Sequence, residues 1–252
     1  MTKRVPQQST VVDYRSITTA DRNPVKRYLQ NRRLLHGLRF LLSKETAKFS
    51  GQILDYGSGN AELLKRIQPR YPEARLYGYE PAEGYRRQAQ ENVEGLDKIQ
   101  LVGRLEELNQ NRFDYIFCLE VFEHLPENQI REALQAMHRL LKDEGVLIIG
   151  VPIETYLPAL VKGFFRMTRR YGEEDALPGN ILRATLGKSI GKRPLIEIEP
   201  GLPYYPRHIG FNHRVFEKMV ADSFVIIHFY GSPVTFFPDF LNFEKYLIGH
   251  KK

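Results

Sequence analysis

From Gly51 to Pro152 the chain repeats one pattern: a short apolar run, a turn, then a segment with helical spacing. "QILDY" is followed by "AELLKRI", "RLYGYE" by "AEGYRRQAQEN", and "FDYIFCL" by "ENQIREALQAMHRLL", while "KIQLV" reads as a further strand. "DEGVLIIGVP" reads as a turn and then a buried strand. Strands that alternate with helices must pair in parallel, because each crossover returns the chain to the same sheet edge. Such a sheet is covered on both faces and binds ligands at the carboxyl ends of its strands. After Pro152 the rhythm breaks. Residues 154–210 are too long for a connection in a compact domain, and read as an inserted cap carrying the helical stretches "LPALVKGFFRMTRRY" and "NILRATLGK". A helix "NHRVFEKMVAD" and the strands "FVIIHFYGSP" and "FEKYLIGHK" then complete the sheet. The expected fold is α/β: a Rossmann-like, seven-stranded, mostly parallel sheet with helices on both faces, an N-terminal helix and a cap. The expected division is 1–50 basic helical extension, 51–153 ligand-binding core, 154–210 cap and 211–252 end of the sheet.

Charge is unevenly placed. Residues 1–50 carry 11 Lys/Arg against 3 Asp/Glu, residues 51–150 carry 12 against 17, and residues 151–252 carry 14 against 10. An N-terminal basic amphipathic helix is expected to start at Asn23 as N-cap, with Pro24 at its first position. Basic flanks around an acidic core point to an acidic partner such as an anionic small molecule, an anionic lipid surface or nucleic acid. Nucleic acid is the less favoured partner, because aromatics are not interleaved with the basic runs. The single cysteine, Cys118, lies in a predicted buried strand, and one thiol in a chain of 252 residues fits a reducing cytoplasmic compartment. "MTKRVPQQST" has no apolar core of a secretory signal. No apolar run reaches the roughly 18 residues of a membrane span.

The first strand ends in "DYGSGNAELL". Gly57 and Gly59 are spaced as in a dinucleotide loop, but Glu62 takes the place of the third glycine and would repel a pyrophosphate. A nicotinamide cofactor is thereby disfavoured. Gly57, Ser58 and Gly59 let the backbone approach a ligand closely, and Asp55 ends the first strand. Glu80 ends the second strand 21 residues after Gly59, where a carboxylate can accept two hydrogen bonds from a ribose diol. A nucleoside with a cationic, phosphate-free tail suits this set, and S-adenosylmethionine is such a molecule.

"ILDYGSGNAELL", "YGYEP", "FDYIFCLEVFEHLPE" and "LLKDEGVLIIGVP", in that order, resemble the class I S-adenosylmethionine-dependent methyltransferases, among them the ubiquinone-biosynthesis-like small-molecule group. Ala61 stands where a third glycine is common. The resemblance implies that Gly57, Ser58 and Gly59 line the methionine portion of the cofactor and that Asp55 holds its amino group. Glu80 and the following Pro81 would border the ribose. Arg104 and Leu105 would contact adenine, although relatives often carry an acidic residue in place of Arg104. Leu119 would approach the transferred methyl. His124 is the candidate general base. The cluster Glu120, Glu123 and His124 has the pattern ExxEH, which on a continuous helix would share one face. Completed by His208, it resembles the metal site of small-RNA 3′-terminal methyltransferases, which implies a divalent cation. The implied activity is O-methylation of an anionic small molecule or a glycan- or lipid-linked intermediate. A catalytically inactive binding module and an RNA-end methyltransferase stand as alternatives. In the cap, Leu157, Leu160, Val161, Phe164 and Phe165 are expected to anchor the segment, leaving Arg166, Arg169 and Arg170 for an anion or a membrane surface.

Overall fold

The computed structural model describes residues 24–188, 190–191 and 193–252. The proposed N-cap Asn23 and the stretch read as a signal-free N-terminus lie outside the described residues. Helix α1 (Pro24–Lys44) precedes β1 (Gln52–Tyr56), α2 (Glu62–Ile67), β2 (Arg75–Tyr79), α3 (Glu83–Asn92) and β3 (Ile99–Val102). These are followed by β4 (Phe113–Leu119), α4 (Glu127–Leu140) and β5 (Leu141–Pro152). The seven-stranded sheet has the order β3-β2-β1-β4-β5-β9-β8. β9 (Glu244–Lys251) runs antiparallel to both β5 and β8 (Phe224–Ser232), while the other pairs are parallel. The α/β class and the strand count expected from sequence are those observed.

Alternation along the central strands builds two cores, because successive side chains leave a strand on opposite faces. Leu54, Ile116 and Cys118 face one side and pack with Met137 of α4 and Phe216 of α7 (His213–Ser223). Ile53, Tyr115 and Phe117 face the other, against Leu38 and Leu41 of α1 and Leu64 of α2. Cys118 is fully buried and burial pushes its thiol up, as befits a core residue and not a nucleophile. The "DEG" stretch expected as a turn is a bulge inside β5. The pairing moves from Phe113–Leu141 to Tyr115–Val146, and Gly145 sits so close to Phe113 that a Cβ there would lie 2.9 Å from its carbonyl oxygen.

Residues 154–210 leave the sheet as α5 (Tyr156–Arg170), α6 (Pro178–Thr185) and a hairpin of β6 (Ile196–Glu199) and β7 (Leu202–Tyr204). What holds them is the reverse of the sequence expectation. Leu157, Leu160, Phe164 and Phe165 of α5 are exposed, the two phenylalanines by 61% and 59%. The buried face of α5 is small, with Ala159 and Gly163 against Ile181 of α6. Attachment to the sheet is ionic: Glu154, 1% exposed, accepts hydrogen bonds from Lys162 at 2.9 Å and from both terminal nitrogens of Arg166 at 2.9 and 3.0 Å. Burial works against the Glu154 charge, but Lys162 and Arg166 outweigh it and hold the carboxyl below its usual range. Asp175 pairs with Arg166 at 3.4 Å and also with Arg170. Arg166 and Arg170 are therefore structural, and only Arg169 of the three remains exposed.

Two of the polar attachments close the hairpin over the carboxyl edge of the sheet. Glu199 accepts hydrogen bonds from the backbone N–H groups of Glu83 and Gly84 at the start of α3, both at 2.9 Å. The N–H of Tyr205 donates to the carbonyl of His124 at 2.8 Å. Removing one partner of a buried ion pair leaves the other charge uncompensated. Glu154→Ala is expected to cost about 3–5 kcal/mol of unfolding free energy, against under about 0.5 kcal/mol for the exposed Arg169→Ala. Urea titration followed by circular dichroism checks the difference.

Candidate active site

The backbone of the glycine turn is left-handed three times, at Gly57 (φ +78°), Gly59 (φ +52°) and Ala61 (φ +58°). The third position explains why glycine would suit residue 61, since an L side chain there works against its own backbone. Tyr79 fastens the turn, its carbonyl accepting from the N–H groups of Gly57 at 2.8 Å and Ser58 at 3.0 Å. A Cβ on Gly57 would meet Val121 Cγ2 at 2.5 Å. This glycine is thus needed for packing against the end of β4 and for its φ, whereas the sequence suggested ligand approach.

Two hollows meet beside the turn. One, of about 360 Å³, is lined by Gly57, Gly59, Glu80, Pro81, Tyr85 and Leu105 and is closed on the outside by the hairpin through Leu202 and Pro203. The second, of about 290 Å³, is lined by Arg33 of α1, Asp55, Ser58, Leu119 and His208. Gly57, Glu120, His124 and Tyr204 border both. Of the residues read as cofactor contacts, Arg104 does not belong to either wall. Its side chain is 79% exposed and pairs with Glu107 at 3.7 Å, because the short 3₁₀ turn that starts at Leu105 aims only the leucine inward.

The acidic groups at the strand ends are electrostatically unfinished. Glu80 accepts from Gly59 N–H at 2.9 Å and Ala82 N–H at 3.0 Å, yet burial outweighs both bonds and pushes its carboxyl up to about 7. Burial, with Glu80 nearby, pushes Asp55 up to about 8. Ser58 Oγ and Asn60 Nδ2 are buried without a hydrogen-bond partner. Two carboxyls that hold protons near neutral pH, beside unsatisfied polar atoms, suit a cationic ligand rich in hydroxyls and amines. Asn60 carries no signal in a sequence read for glycines and acids alone.

Beyond Leu119 the chain does not turn helical at once. Glu120 has φ +57°, and a single 3₁₀ turn spans Phe122–His124. Glu120, Glu123 and His124 therefore do not share a helix face as the ExxEH spacing suggested. Glu120 is drawn to Arg33 at 3.2 Å, and Arg33 also bonds Glu244. Burial opposes the Arg33 charge, but the two carboxylates hold it above its usual range. Glu123, His124 and His208 do come together. Glu123 Oε1 lies 3.8 Å from His124 Nε2 and 3.9 Å from His208 Nε2. Glu123 is fully buried and neither carboxylate oxygen has a hydrogen-bond partner. His124 Nδ1 lies 2.7 Å from the carbonyl of Tyr205, which can only accept, so Nδ1 carries the hydrogen and Nε2 presents a lone pair. Burial lowers His124 to about 4 and His208 well below its usual value, while burial and Glu120 raise Glu123 well above the carboxylate range. A second acidic group with a histidine, His213, Glu217 and Asp239, is already served by the ammonium of Lys245, at 2.9 Å from Glu217 and 2.6 Å from Asp239. His213 itself begins α7 and is buried.

Gly95 has the same φ as Gly57 but open space around it. Gly57→Ala is expected to lose more stability than Gly95→Ala by about 1–3 kcal/mol, the cost of overpacking. Paired thermal melts of the two variants check this.

Comparison with known proteins agrees with this geometry. A model described as a methyltransferase domain matches residues 53–145. A ubiquinone biosynthesis O-methyltransferase of Vibrio atlanticus is 29% identical over 177 residues, covering 67% of this chain and 73% of that protein. Among solved structures, a TehB-like SAM-dependent methyltransferase of Corynebacterium glutamicum aligns with TM-score 0.55 at 15% identity, over 91% of this chain and all of the other. The N-methyltransferase NodS of Bradyrhizobium japonicum, in complex with S-adenosyl-L-homocysteine, aligns with TM-score 0.57 at 14% identity, over 92% and 89% of the two chains. At these identities the structures bear on fold alone. The domain match, the curated relative and the fold agree with the glycine turn and its acids: residues 53–145 are a methyltransferase domain, and the chain has the fold of S-adenosylmethionine-dependent methyltransferases.

Proposed function

We propose that the chain methylates a hydroxyl oxygen of an anionic small molecule or glycan- or lipid-linked acceptor, bound in the hollow below α1. We infer in addition that Glu123, His124 and His208 hold a divalent cation there. The observation that carries this reading is the Glu123 carboxylate, fully buried without a hydrogen-bond partner between two imidazole nitrogens. A buried carboxylate is costly unless it is protonated or faces a cation, and two neutral imidazoles fit nitrogen ligation. The Tyr205 carbonyl behind His124 Nδ1 orients that ring as an outer partner orients a ligating histidine. A cation at this position supplies a lowered pKa to an acceptor hydroxyl. The name of the Vibrio relative agrees with an oxygen acceptor.

The residues of the chain divide the remaining work. Glu80 accepts hydrogen bonds from the ribose hydroxyls of the methyl donor, and Leu105, with Pro81, walls the adenine side. Asp55 takes the donor's ammonium group, with Ser58 and Asn60 alongside. Gly57, Ser58 and Gly59 bend the backbone around its methionine portion. Leu119 and Glu120 stand at the junction of the two hollows, where donor and acceptor must align for in-line displacement at the methyl. Arg33, Arg166 and Arg170 are neutralised internally, so negative charge on the acceptor is matched by the cation rather than by free arginines. Without a cation, His124, neutral and aimed by Tyr205, is the base.

Titration calorimetry with S-adenosyl-L-homocysteine and S-adenosylmethionine tests the donor site. Glu80→Ala should weaken binding by about 1–3 kcal/mol, and absence of binding to the wild type would overturn the assignment. Binding of the cationic donor favours charged Glu80 and Asp55, whose carboxyls burial raises to about 7 and about 8. Binding therefore releases protons, and affinity should rise with pH from about 6 to about 9 and then level off. A flat profile would contradict it.

Acceptor chemistry is tested with methyl-deuterated donor and fractionated cell extract, seeking one labelled methyl on an oxygen by mass spectrometry. Activity on that acceptor should fall in EDTA and return with Mg²⁺, Mn²⁺ or Zn²⁺. Glu123→Gln and His208→Ala should abolish it while leaving donor affinity unchanged. Full activity in chelator, with no metal by elemental analysis, would reject the cation.

A further inference from the structure

Helix α5 carries an apolar stripe that no described residue covers. Leu157, Leu160, Phe164 and Phe165 recur at helical spacing and are 44%, 47%, 61% and 59% exposed. The stripe is not isolated. Phe165 shares a groove of about 170 Å³ with Leu29 of α1 and with Pro233 and Phe243, which bracket the connection between β8 and β9. That connection exposes Phe236 (80%), Phe237 and Phe240, and is folded into this shape by Asn242. The Asn242 side chain, fully buried, accepts from Val234 N–H at 3.0 Å and donates to the carbonyls of Val234 at 3.0 Å and Phe237 at 2.9 Å. The neighbouring exposed aromatics form an apolar patch of the kind that marks an interaction surface.

The two helices bordering this face are uniformly cationic. "PVKRYLQNRRLLHGLRFLLSK" and "YLPALVKGFFRMTRR" contain Lys and Arg but no Asp or Glu. Arg33, Lys162, Arg166 and Arg170 are used internally. Arg27 and Arg169 are exposed beside Tyr28 and Phe165, and Arg32 bridges from α1 to the carbonyl of Pro233 across the groove. Exposed aromatic and aliphatic side chains set among arginines match the boundary of an anionic bilayer, where the rings enter the acyl region and the guanidinium groups stay with the headgroups. A second copy of the chain would have to bring acidic residues to the same face, and these two helices have none.

We propose that this face, built by α1, α5 and the connection between β8 and β9, docks the protein on the surface of an anionic lipid bilayer. No span is involved, since no described helix is long and apolar enough to cross a membrane. The docking face borders the acceptor hollow, because Arg33 lines both the groove and the hollow. Docked in this way, the hollow opens toward the lipid headgroups. The proposal concerns this surface alone and holds whatever the acceptor chemistry.

Sedimentation of the full chain with vesicles of phosphatidylcholine, with and without phosphatidylglycerol, tests it. The wild type should bind vesicles containing phosphatidylglycerol roughly tenfold or more tightly than neutral ones, and less in high salt. Phe164→Ser with Phe165→Ser, and separately Arg27→Glu with Arg169→Glu, should each remove most of that binding. Their thermal unfolding and S-adenosyl-L-homocysteine affinity should match the wild type, which separates a failed surface from a failed donor site. Absence of binding to the anionic vesicles, or equal binding by the phenylalanine variant, would overturn the proposal. So would a wild-type dimer in light scattering that the same variant dissolves, which would assign the face to a second copy.

Discussion

A parallel sheet brings the carboxyl ends of its strands to one edge, and this one reverses its winding there, between β1 and β4. The chain leaves β1 toward β2 and leaves β4 toward β5, so the two loops separate and open a crevice. The acidic groups of the candidate site hang from that edge. Asp55 is the penultimate residue of β1, Glu80 follows β2, and Glu120, Glu123 and His124 follow β4. The edge concentrates four acidic side chains in a space from which water is largely excluded. Burial raises all four, Asp55 to about 8 and Glu80 and Glu120 to about 7, with Glu80 adding to the rise of Asp55 and Glu120 to that of Glu123. The fold thus stores an electrostatic deficit that a cationic sulfonium donor and a cation would relieve.

The cap answers the same deficit from outside. It brings His208 to Glu123, holds the Glu123 carbonyl and Arg207 carbonyl together through Arg193, and lays Arg193 over the Tyr205 ring at 4.1 Å. It is attached through Lys162, which donates to the carbonyls of Ile153 and Phe243, and through Glu199, which accepts from Glu83 and Gly84 N–H, contacts that work by charge and hydrogen bonding. An insertion attached in this manner needs little apolar surface for its own docking. Its leucines and phenylalanines remain available for another surface.

Much of this could be read from the chain before folding. The alternation of strand and helix is a local signal that the structure realises, and the glycine turn, Asp55, Glu80 and Leu105 line the two hollows. Three readings failed for definable reasons. Arg104 and Leu105 are neighbours, and only the turn geometry decides which points inward. The ExxEH spacing assumes a continuous helix, but the left-handed Glu120 interrupts it, and Arg33, distant in sequence, takes that carboxylate. The apolar period of α5 marks a stripe without saying whether it faces core or surface. Glu154, remote from the stripe in meaning though near in sequence, decides that the arginines go inward. His208 joining Glu123 was an expectation from resemblance that spacing alone could not supply, and the cap's path realises it.

The central claim is that the donor lies under the glycine turn, with its reacting end facing the opening shared by the two hollows. A crystal structure of the protein with S-adenosyl-L-homocysteine tests it most directly. The ribose hydroxyls should lie within hydrogen-bond distance of Glu80, the amino group beside Asp55, and the sulfur should face Leu119 and the opening bordered by His124. A ligand bound outside the crevice, or bound within it with the sulfur turned away from His124, would contradict the assignment of both donor and acceptor sites.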